Sequence, residues 1–345
     1  MIKTFLHQTA DVLGFLLLQL FKLSGLGTSS ETYQTSKARK ILVIRTDRIG
    51  DVVLSTPAFH ALRHHFPEAY MACLVALYTR DLVEGNPVFN EVYTYDRKIL
   101  RRPLRLARFI AGLRRSGFDT AVVLNYAPDA ILLAYLSGAP VRVGTRIPGF
   151  GRFLTESISY QDRDLAGRHE VECVLDVLRN IGIDADGKDL YIPLSEKGES
   201  FAARFMADNG LDRRQLVAMH PGSRLPRMRW NRMGFARVAD TLIREMDVQV
   251  ILIQGPGEEG LISDIVSSML EKPLLTPQGI GIAELVSLLK RCSLFIGNST
   301  GPMHLAAGLT IPVVALFGNA RPMESHEKWG PWEPPYRDPR LPHKF

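Results

Sequence analysis

The chain has 345 residues, with 42 Lys and Arg against 36 Asp and Glu, giving a formal charge of +6. That length is enough for two medium domains, and an apolar content of 46% excludes a disordered chain. The mildly basic balance suits anionic partners such as nucleotides, phosphorylated lipids or a membrane surface, and with no conspicuous Lys/Arg-rich helix it argues against nucleic acid.

Residues 1–37 stand apart from the rest. The stretch VLGFLLLQLFKL (residues 12–23) is apolar but shorter than the roughly 20 residues a spanning helix needs. A helix lying on the membrane surface is the preferred reading, ahead of one docked on its own fold and of a signal or anchor. Residues 25–37 read as a linker. From residue 38 strands and helices alternate. In a first unit, residues 38–190, strands are expected at 40–45 (KILVIR), 71–75, 91–95, 120–124 and 141–144. Helices are expected at 51–66, interrupted near Pro57, and at 104–115, 130–136 and 169–181. The boundary is expected near residues 187–197. In a second unit, residues 191–325, strands are expected at 216–220, 248–254, 273–275, 293–296 and 313–317. Its helices are expected at 232–244, 261–270 and 282–290, with one more starting near Pro302. The tail, residues 326–345, is rich in Pro and reads as irregular. Two such series predict an α/β protein with two Rossmann-like domains, whose parallel sheets face an interdomain cleft. Cys73, Cys173 and Cys292 are far apart, read as reduced core residues, and favour the cytoplasm.

Four stretches carry chemistry. In Arg45-Thr46-Asp47-Arg48-Ile49-Gly50-Asp51 a strand hands over to a helix. Asp51 can cap that helix, or face the cleft as a general base toward an acceptor hydroxyl. Arg45 and Arg48 can bind anionic groups of the acceptor, or lie in a solvated loop. In His220-Pro221-Gly222-Ser223-Arg224-Leu225-Pro226-Arg227-Met228-Arg229-Trp230, turn N–H groups, the Ser223 hydroxyl and Arg224, Arg227 and Arg229 suit a diphosphate. The alternative is a basic surface turn. GPGEEG (residues 255–260) matches a dinucleotide fingerprint, but it is not at the first strand of its unit and no acidic residue ends the next strand. Glu258 and Glu259 can instead accept from ribose hydroxyls. Ser299, Thr300 and Gly301 precede a helix with Pro302 at its start, a ready anion site that His304 can join from the first turn. The stretch Asp184-Ala185-Asp186 is read as an interdomain turn and not as a metal pair, and no other metal-ligand cluster is present in the sequence.

The ordered stretches KILVIRTDRIGDVVLSTPAFHALRHHFPEA, AMHPGSRLPRMRWNRMGF, VILIQGPGEE and IGNSTGPMHLAAGLTIPVVALFG resemble glycosyltransferase family 9, the heptosyltransferases of lipopolysaccharide core assembly. The resemblance covers residues 40–332. It implies a GT-B fold and inverting, metal-independent transfer of heptose from ADP-heptose, with no cofactor. It implies Asp51 as the catalytic base. It implies Ser223 and the basic loop at the diphosphate, Glu259 at the ribose, and Thr300, Gly301 and His304 around the donor phosphates, with Ser299 beside them. The family commonly has Asp where Ser299 stands and Lys where Met228 stands, so Arg227 or Arg229 is expected to supply the missing cation. It also usually continues past Trp-Gly-Pro into a closing helix.

The expected protein is therefore a transferase using a nucleotide-sugar donor and a lipid-linked saccharide acceptor, cytoplasmic and peripheral to the inner membrane. The rivals are a transferase using another nucleotide sugar, a non-catalytic binding protein on the same fold, and an NAD-dependent oxidoreductase.

Overall fold

The computed structural model describes residues 38–160, 167–211, 215–318 and 324–332. The expected N-terminal helix and linker, and the end of the tail, lie outside the described residues. Strands β1 (Lys40–Arg45), β2 (Tyr70–Ala76), β3 (Glu91–Tyr95), β4 (Thr120–Val123), β5 (Val141–Thr145) and β6 (Glu156–Ile158) form one sheet. Its order is β3-β2-β1-β4-β5-β6, and every pairing is parallel. A second sheet holds β7 (Leu216–His220), β8 (Gln249–Leu252), β9 (Leu274–Leu275), β10 (Leu294–Asn298) and β11 (Val313–Leu316), in the order β11-β10-β7-β8-β9, again all parallel. The central strands read as unbroken apolar runs because helices cover both faces. β6 has three half-buried residues and no such run, which is why its sequence carries no strand signal.

Strand order reverses between β1 and β4 in the first sheet and between β7 and β10 in the second. At such a switch point the loops leave in opposite directions and open a crevice at the carboxyl ends of the strands. The helices that follow these strands set its walls: α1 (Ile49–Val53) and α2 (Thr56–His65) after β1, and then α3 (Pro103–Arg115), α4 (Pro128–Leu136) and α5 (Glu170–Arg179). The second half supplies α6 (Glu196–Asp208), α7 (Arg232–Met246), α8 (Glu259–Val266), α9 (Ile282–Leu289) and α10 (Gly301–Gly308). Where one helix over 51–66 is expected, α1 and α2 are separate. The Ser55 hydroxyl donates to the Asp51 carbonyl at 2.7 Å, and Pro57 sits in the first turn of α2, where it has no N–H to lose.

One expectation fails outright. α3 is an Arg-rich helix. It buries Leu106 and Leu113 and turns Leu104, Arg105, Arg108 and Arg115 outward. Its signal lies in the sequence RRPLRLARFIAGLRR, where Arg105, Arg108 and Arg115 fall on one helical face.

The two halves share one apolar core cluster, which runs from Ile41 and Phe59 through Phe295 and Leu305 to Trp332. α1 and α10 meet directly: a Cβ at Gly50 would lie 2.5 Å from Cδ2 of His304, and one at Gly301 would lie 2.9 Å from Cβ of Ile49. Part of the tail expected to be irregular is ordered as α11 (His326–Trp329), capped by the Ser325 hydroxyl, which accepts from the Lys328 N–H at 3.4 Å. This segment returns to the first domain. Trp332 donates its indole N–H to the Lys188 carbonyl at 2.8 Å and stacks on His169, 4.5 Å between ring centres.

Candidate active site

Asp51 lies at the third position of α1, just beyond the carboxyl end of β1. Its Oδ2 accepts the Arg48 N–H at 3.1 Å, so the carboxylate does cap the helix. Its Oδ1 stands 3.6 Å from Nη2 of Arg45, and about a sixth of the side chain reaches solvent (17%). Burial raises its pKa from the ordinary 3.8 to about 6; Arg45 pulls down, and Asp47 and Glu170 push further up. A carboxylate of that basicity is better matched to accepting a hydroxyl proton near neutral pH than a solvated aspartate.

Arg45 is 1% exposed, so it does not reach toward an acceptor. Its Nε donates to the Asp51 carbonyl at 3.1 Å, its Nη1 to the Leu124 carbonyl, and its Nη2 to Oε1 of Glu170 at 2.8 Å. Burial opposes its charge, but Asp47, Glu170 and Asp51 more than offset this and hold its pKa above the usual value. Arg48 is exposed at the start of α1 and is the cation of this loop that faces solvent.

Across the crevice a buried polar chain ties three loops together. His220 ends β7; its Nδ1 lies 2.9 Å from Oγ1 of Thr300 and its Nε2 3.1 Å from Oε2 of Glu258. The same Glu258 oxygen accepts the Gly255 N–H at 2.8 Å. Burial favours the neutral form of Glu258, but the His220 bond and charge and the Gly255 N–H hold its pKa below the ordinary carboxylate value. Gly222 has no room for a side chain, because the Glu258 carboxylate occupies that space. Glu259, the residue expected at a ribose, is exposed, and its Oε1 accepts from the Gly257 N–H at 3.4 Å. Glu258 is the acid turned inward.

Asn298, fully buried at the end of β10, fixes the basic loop. Its Nδ2 donates to the carbonyls of Pro221 at 2.8 Å and Gly222 at 3.1 Å, and its Oδ1 accepts from the Trp230 N–H at 3.0 Å. Ser223 is buried, and Nε of Arg229 donates to its carbonyl at 2.9 Å. Arg224 is exposed. Arg227 is held by Glu324 through two bonds of 2.6 and 3.0 Å. Met228 is buried against the Gly318 backbone. Arg229, not Arg227, is therefore the cation beside Ser223, and its charge also bears on Glu258. An open groove of about 430 Å³ lies on the outer side of this loop, lined by Pro226, Arg229, Trp230, Asn231, Arg232 and Leu261 among others.

At α10, Thr300 takes the N-cap position and donates its hydroxyl to the Asn298 carbonyl at 3.1 Å. Ser299 and Gly301 are half-buried beside it, and Ile49 covers the face of Gly301 where a Cβ would stand. His304 is buried against Gly50, its ring edge-on to Trp329, and its Nδ1 has no hydrogen-bond partner among the described residues. Burial, helped by the charge of His169, lowers its pKa to about 3, so the imidazole is neutral at any working pH. The structure thus gathers Arg45, Arg48, Asp51, Thr300, Gly301 and His304 where the two domains touch, and Ser223, Arg229 and Glu258 on the adjoining loops. Asp184 and Asp186 pair instead with Arg179 (3.6 Å) and His64 (2.9 Å).

Sequence reasoning passed over His220 and Asn298, although a polar residue closing an apolar strand before a Gly turn was a usable signal. It also passed over Glu170 and Lys328. Nothing local marks that pair, since their ion pair spans 158 positions.

Two Rossmann-like domains with a crevice between facing switch points, one wall carrying a carboxylate and the other a helix N-terminus and a basic loop, define the GT-B class of glycosyltransferases. The model of glycosyltransferase family 9 (heptosyltransferase) matches residues 106–341, and the chain belongs to this family. It is a glycosyltransferase. It is 28% identical over 297 residues to lipopolysaccharide heptosyltransferase 3 of Escherichia coli, covering 82% of this chain and 83% of the relative. Among solved structures it is similar to a family 9 glycosyl transferase of Veillonella parvula, with a TM-score of 0.77, 26% identity and coverage of 88% and 86%. It shares its fold with E. coli ADP-heptose lps heptosyltransferase II, with a TM-score of 0.70, 23% identity and coverage of 85% and 87%.

Proposed function

We propose that this chain moves a heptose from ADP-heptose to a lipid-linked saccharide of the lipopolysaccharide core, with inversion, at the cytoplasmic face of the inner membrane. The observation that carries the reading is Asp51: a part-exposed carboxylate raised to about 6, at the carboxyl edge of one sheet, on the helix α1 whose Ile49 and Gly50 pack against α10 of the other domain. The names of the relatives supply the sugar and the acceptor class, and ADP-heptose stands in the name of the E. coli fold neighbour.

In the proposed step the acceptor hydroxyl oxygen attacks the anomeric carbon while its proton passes to Asp51. The bond from that carbon to the phosphate oxygen breaks, and ADP leaves with the electron pair. The backbone N–H groups at the start of α10, Arg229 and the Thr300 hydroxyl, once it turns from the Asn298 carbonyl, stabilise the charge that develops on the diphosphate. His304, neutral, can donate one hydrogen bond there without adding charge. Glu258 is the better placed acid for a ribose hydroxyl, with Glu259 outside it. Arg48 and Arg224 are the solvent-facing cations for anionic groups of acceptor and donor.

Nucleotide release measured with ADP-heptose and with other ADP-, GDP- and UDP-sugars, with and without a lipid-core acceptor, tests this. Acceptor-dependent ADP release from ADP-heptose alone is expected, falling about 100-fold or more in Asp51→Ala. Turnover of a different nucleotide sugar would reassign the donor, and full activity in Asp51→Ala would remove the base.

A further inference from the structure

The carboxylate proposed as base does not stand alone. Arg45 lies behind it, and behind Arg45 lies Glu170, the first residue of α5. Each oxygen of Glu170 holds one cation: Oε1 accepts from Nη2 of Arg45 at 2.8 Å, and Oε2 from Nζ of Lys328 at 2.9 Å. Lys328 is 3% exposed and comes from α11, near the far end of the described chain, after the last strand of the second domain. Its Nζ also lies 3.6 Å from the Cys173 sulfur and 5.3 Å from the Trp329 ring centre. Desolvating Lys and Glu carries a large penalty, so such a pair is an expensive way merely to fasten a tail.

We propose that Glu170 and Lys328 are positioning residues for Asp51: the returning C-terminal segment delivers a cation that completes a buried chain, Lys328–Glu170–Arg45–Asp51, and so sets the orientation and proton affinity of the base. This rests on the reading of Asp51 as the base. The groups that face Asp51 are Arg45 from β1, Asp47 and Arg48 from its own loop, Tyr78 from the turn after β2 and Glu170 from α5; the uncharged His304 from α10 lies against Gly50. Among the charges, Asp47, Asp51 and Glu170 face Arg45 and Lys328 across this buried cluster. Removing the Lys328 charge leaves Glu170 to draw Arg45 to itself and adds net negative charge near Asp51. Removing the Glu170 charge does the reverse. The two changes act on the base with opposite sign, which a merely structural role does not predict.

The test uses the full-length protein in four forms: wild type, Lys328→Met, Glu170→Gln and Asp51→Asn. Two quantities are read: the acidic limb of kcat/KM against pH, and the titration of the Asp51 carboxyl by carbon-13 NMR, assigned by its loss in Asp51→Asn. Lys328→Met is expected to move both to higher pH by about half a unit or more, and Glu170→Gln to move both lower. Melting temperature identifies a variant that fails to fold, in which case the other decides by the sign of its shift. An unmoved Asp51 titration in a folded variant, or shifts of the same sign in both, overturns the proposal. A titration that moves while the kinetic limb stays fixed sustains the positioning and overturns Asp51 as base.

Discussion

Two side chains at the domain contact carry opposed acid responses. Asp51 has its pKa raised to about 6 by burial, against 3.8 unfolded. The folded state binds that proton more tightly, so this group adds stability as pH falls from about 6 toward 4. His304 has its pKa lowered to about 3, against 6.5 unfolded. There the unfolded state binds the proton more tightly, so stability is lost as pH falls from about 6.5 to 3. His304 is also buried with an unpartnered Nδ1, which an apolar side chain would not leave. His304→Leu is therefore expected to unfold at higher temperature than wild type below pH 5, with a smaller difference at pH 8, and to lose sugar transfer. Melting curves at pH 4.5, 6 and 8 decide it; equal acid sensitivity in both proteins would mean that His304 is protonated in the fold. Asp51 was legible from its place after a strand and Gly50. Its raised basicity was not, since that comes first from burial, which only the packed fold creates, and in smaller part from Asp47 and from Glu170, which stands 119 positions away in the chain.

Between elements, the contact of α1 with α10 is set by two glycines. The sequence marks Gly50 and Gly301 as turn or ligand positions, but their role in the structure is steric. Each lets a side chain of the other domain press on bare backbone, His304 on Gly50 and Ile49 on Gly301. Gly50→Ala puts a Cβ 2.5 Å from His304 Cδ2, closer than carbon atoms approach, and neither a buried ring nor a backbone in α1 yields cheaply. A loss of about 1–3 kcal/mol in stability is expected, together with at least a tenfold fall in kcat/KM as Asp51 moves with α1. Gly112→Ala, within α3 and with open space around the added methyl, is the control and is expected to leave kcat/KM unchanged and to stabilise by up to about 1 kcal/mol. Near-normal activity in Gly50→Ala would show that the domains need not meet in this way to react. The parallel strands of both sheets other than β6 were legible because buried strands are continuous apolar runs bounded by Gly and Pro. The Glu196–Asp208 helix was not, because it buries little beyond Gly198 and Ala202 and reads as a charged linker. The C-terminal helical turn was hidden by the Pro-rich sequence around it.

On the whole molecule, charge is distributed unevenly in a way that bears on where the enzyme works. After β3 the chain presents Lys98, Arg101, Arg102, Arg105, Arg108 and Arg115 to solvent. Arg97 beside them is tied to Asp129 at 2.7 and 2.8 Å. Leu104, 75% exposed, sits among these arginines on the outer face of α3. Because β3 runs parallel to β1, this surface begins at the same sheet edge as Asp51, and the exposed Leu77 and Tyr78 lie at that edge too, the Tyr78 hydroxyl donating to the Asp47 carbonyl at 2.9 Å. Among the described residues no helix is long and apolar enough to cross a membrane. A cationic face with an exposed leucine instead suits an anionic bilayer surface, where each basic residue contributes about 1 kcal/mol. Neutralising Arg105, Arg108 and Arg115 together as Gln is then expected to weaken binding to phosphatidylglycerol vesicles by roughly 100-fold in low salt. Binding to phosphatidylcholine vesicles and turnover of a delipidated acceptor should stay unchanged. Undiminished binding to anionic vesicles would rule this face out as a membrane contact. Tight binding of an oligonucleotide, lost in the same triple variant while vesicle binding persists, would assign the face to nucleic acid, the partner that the expected lack of a Lys/Arg-rich helix argued against.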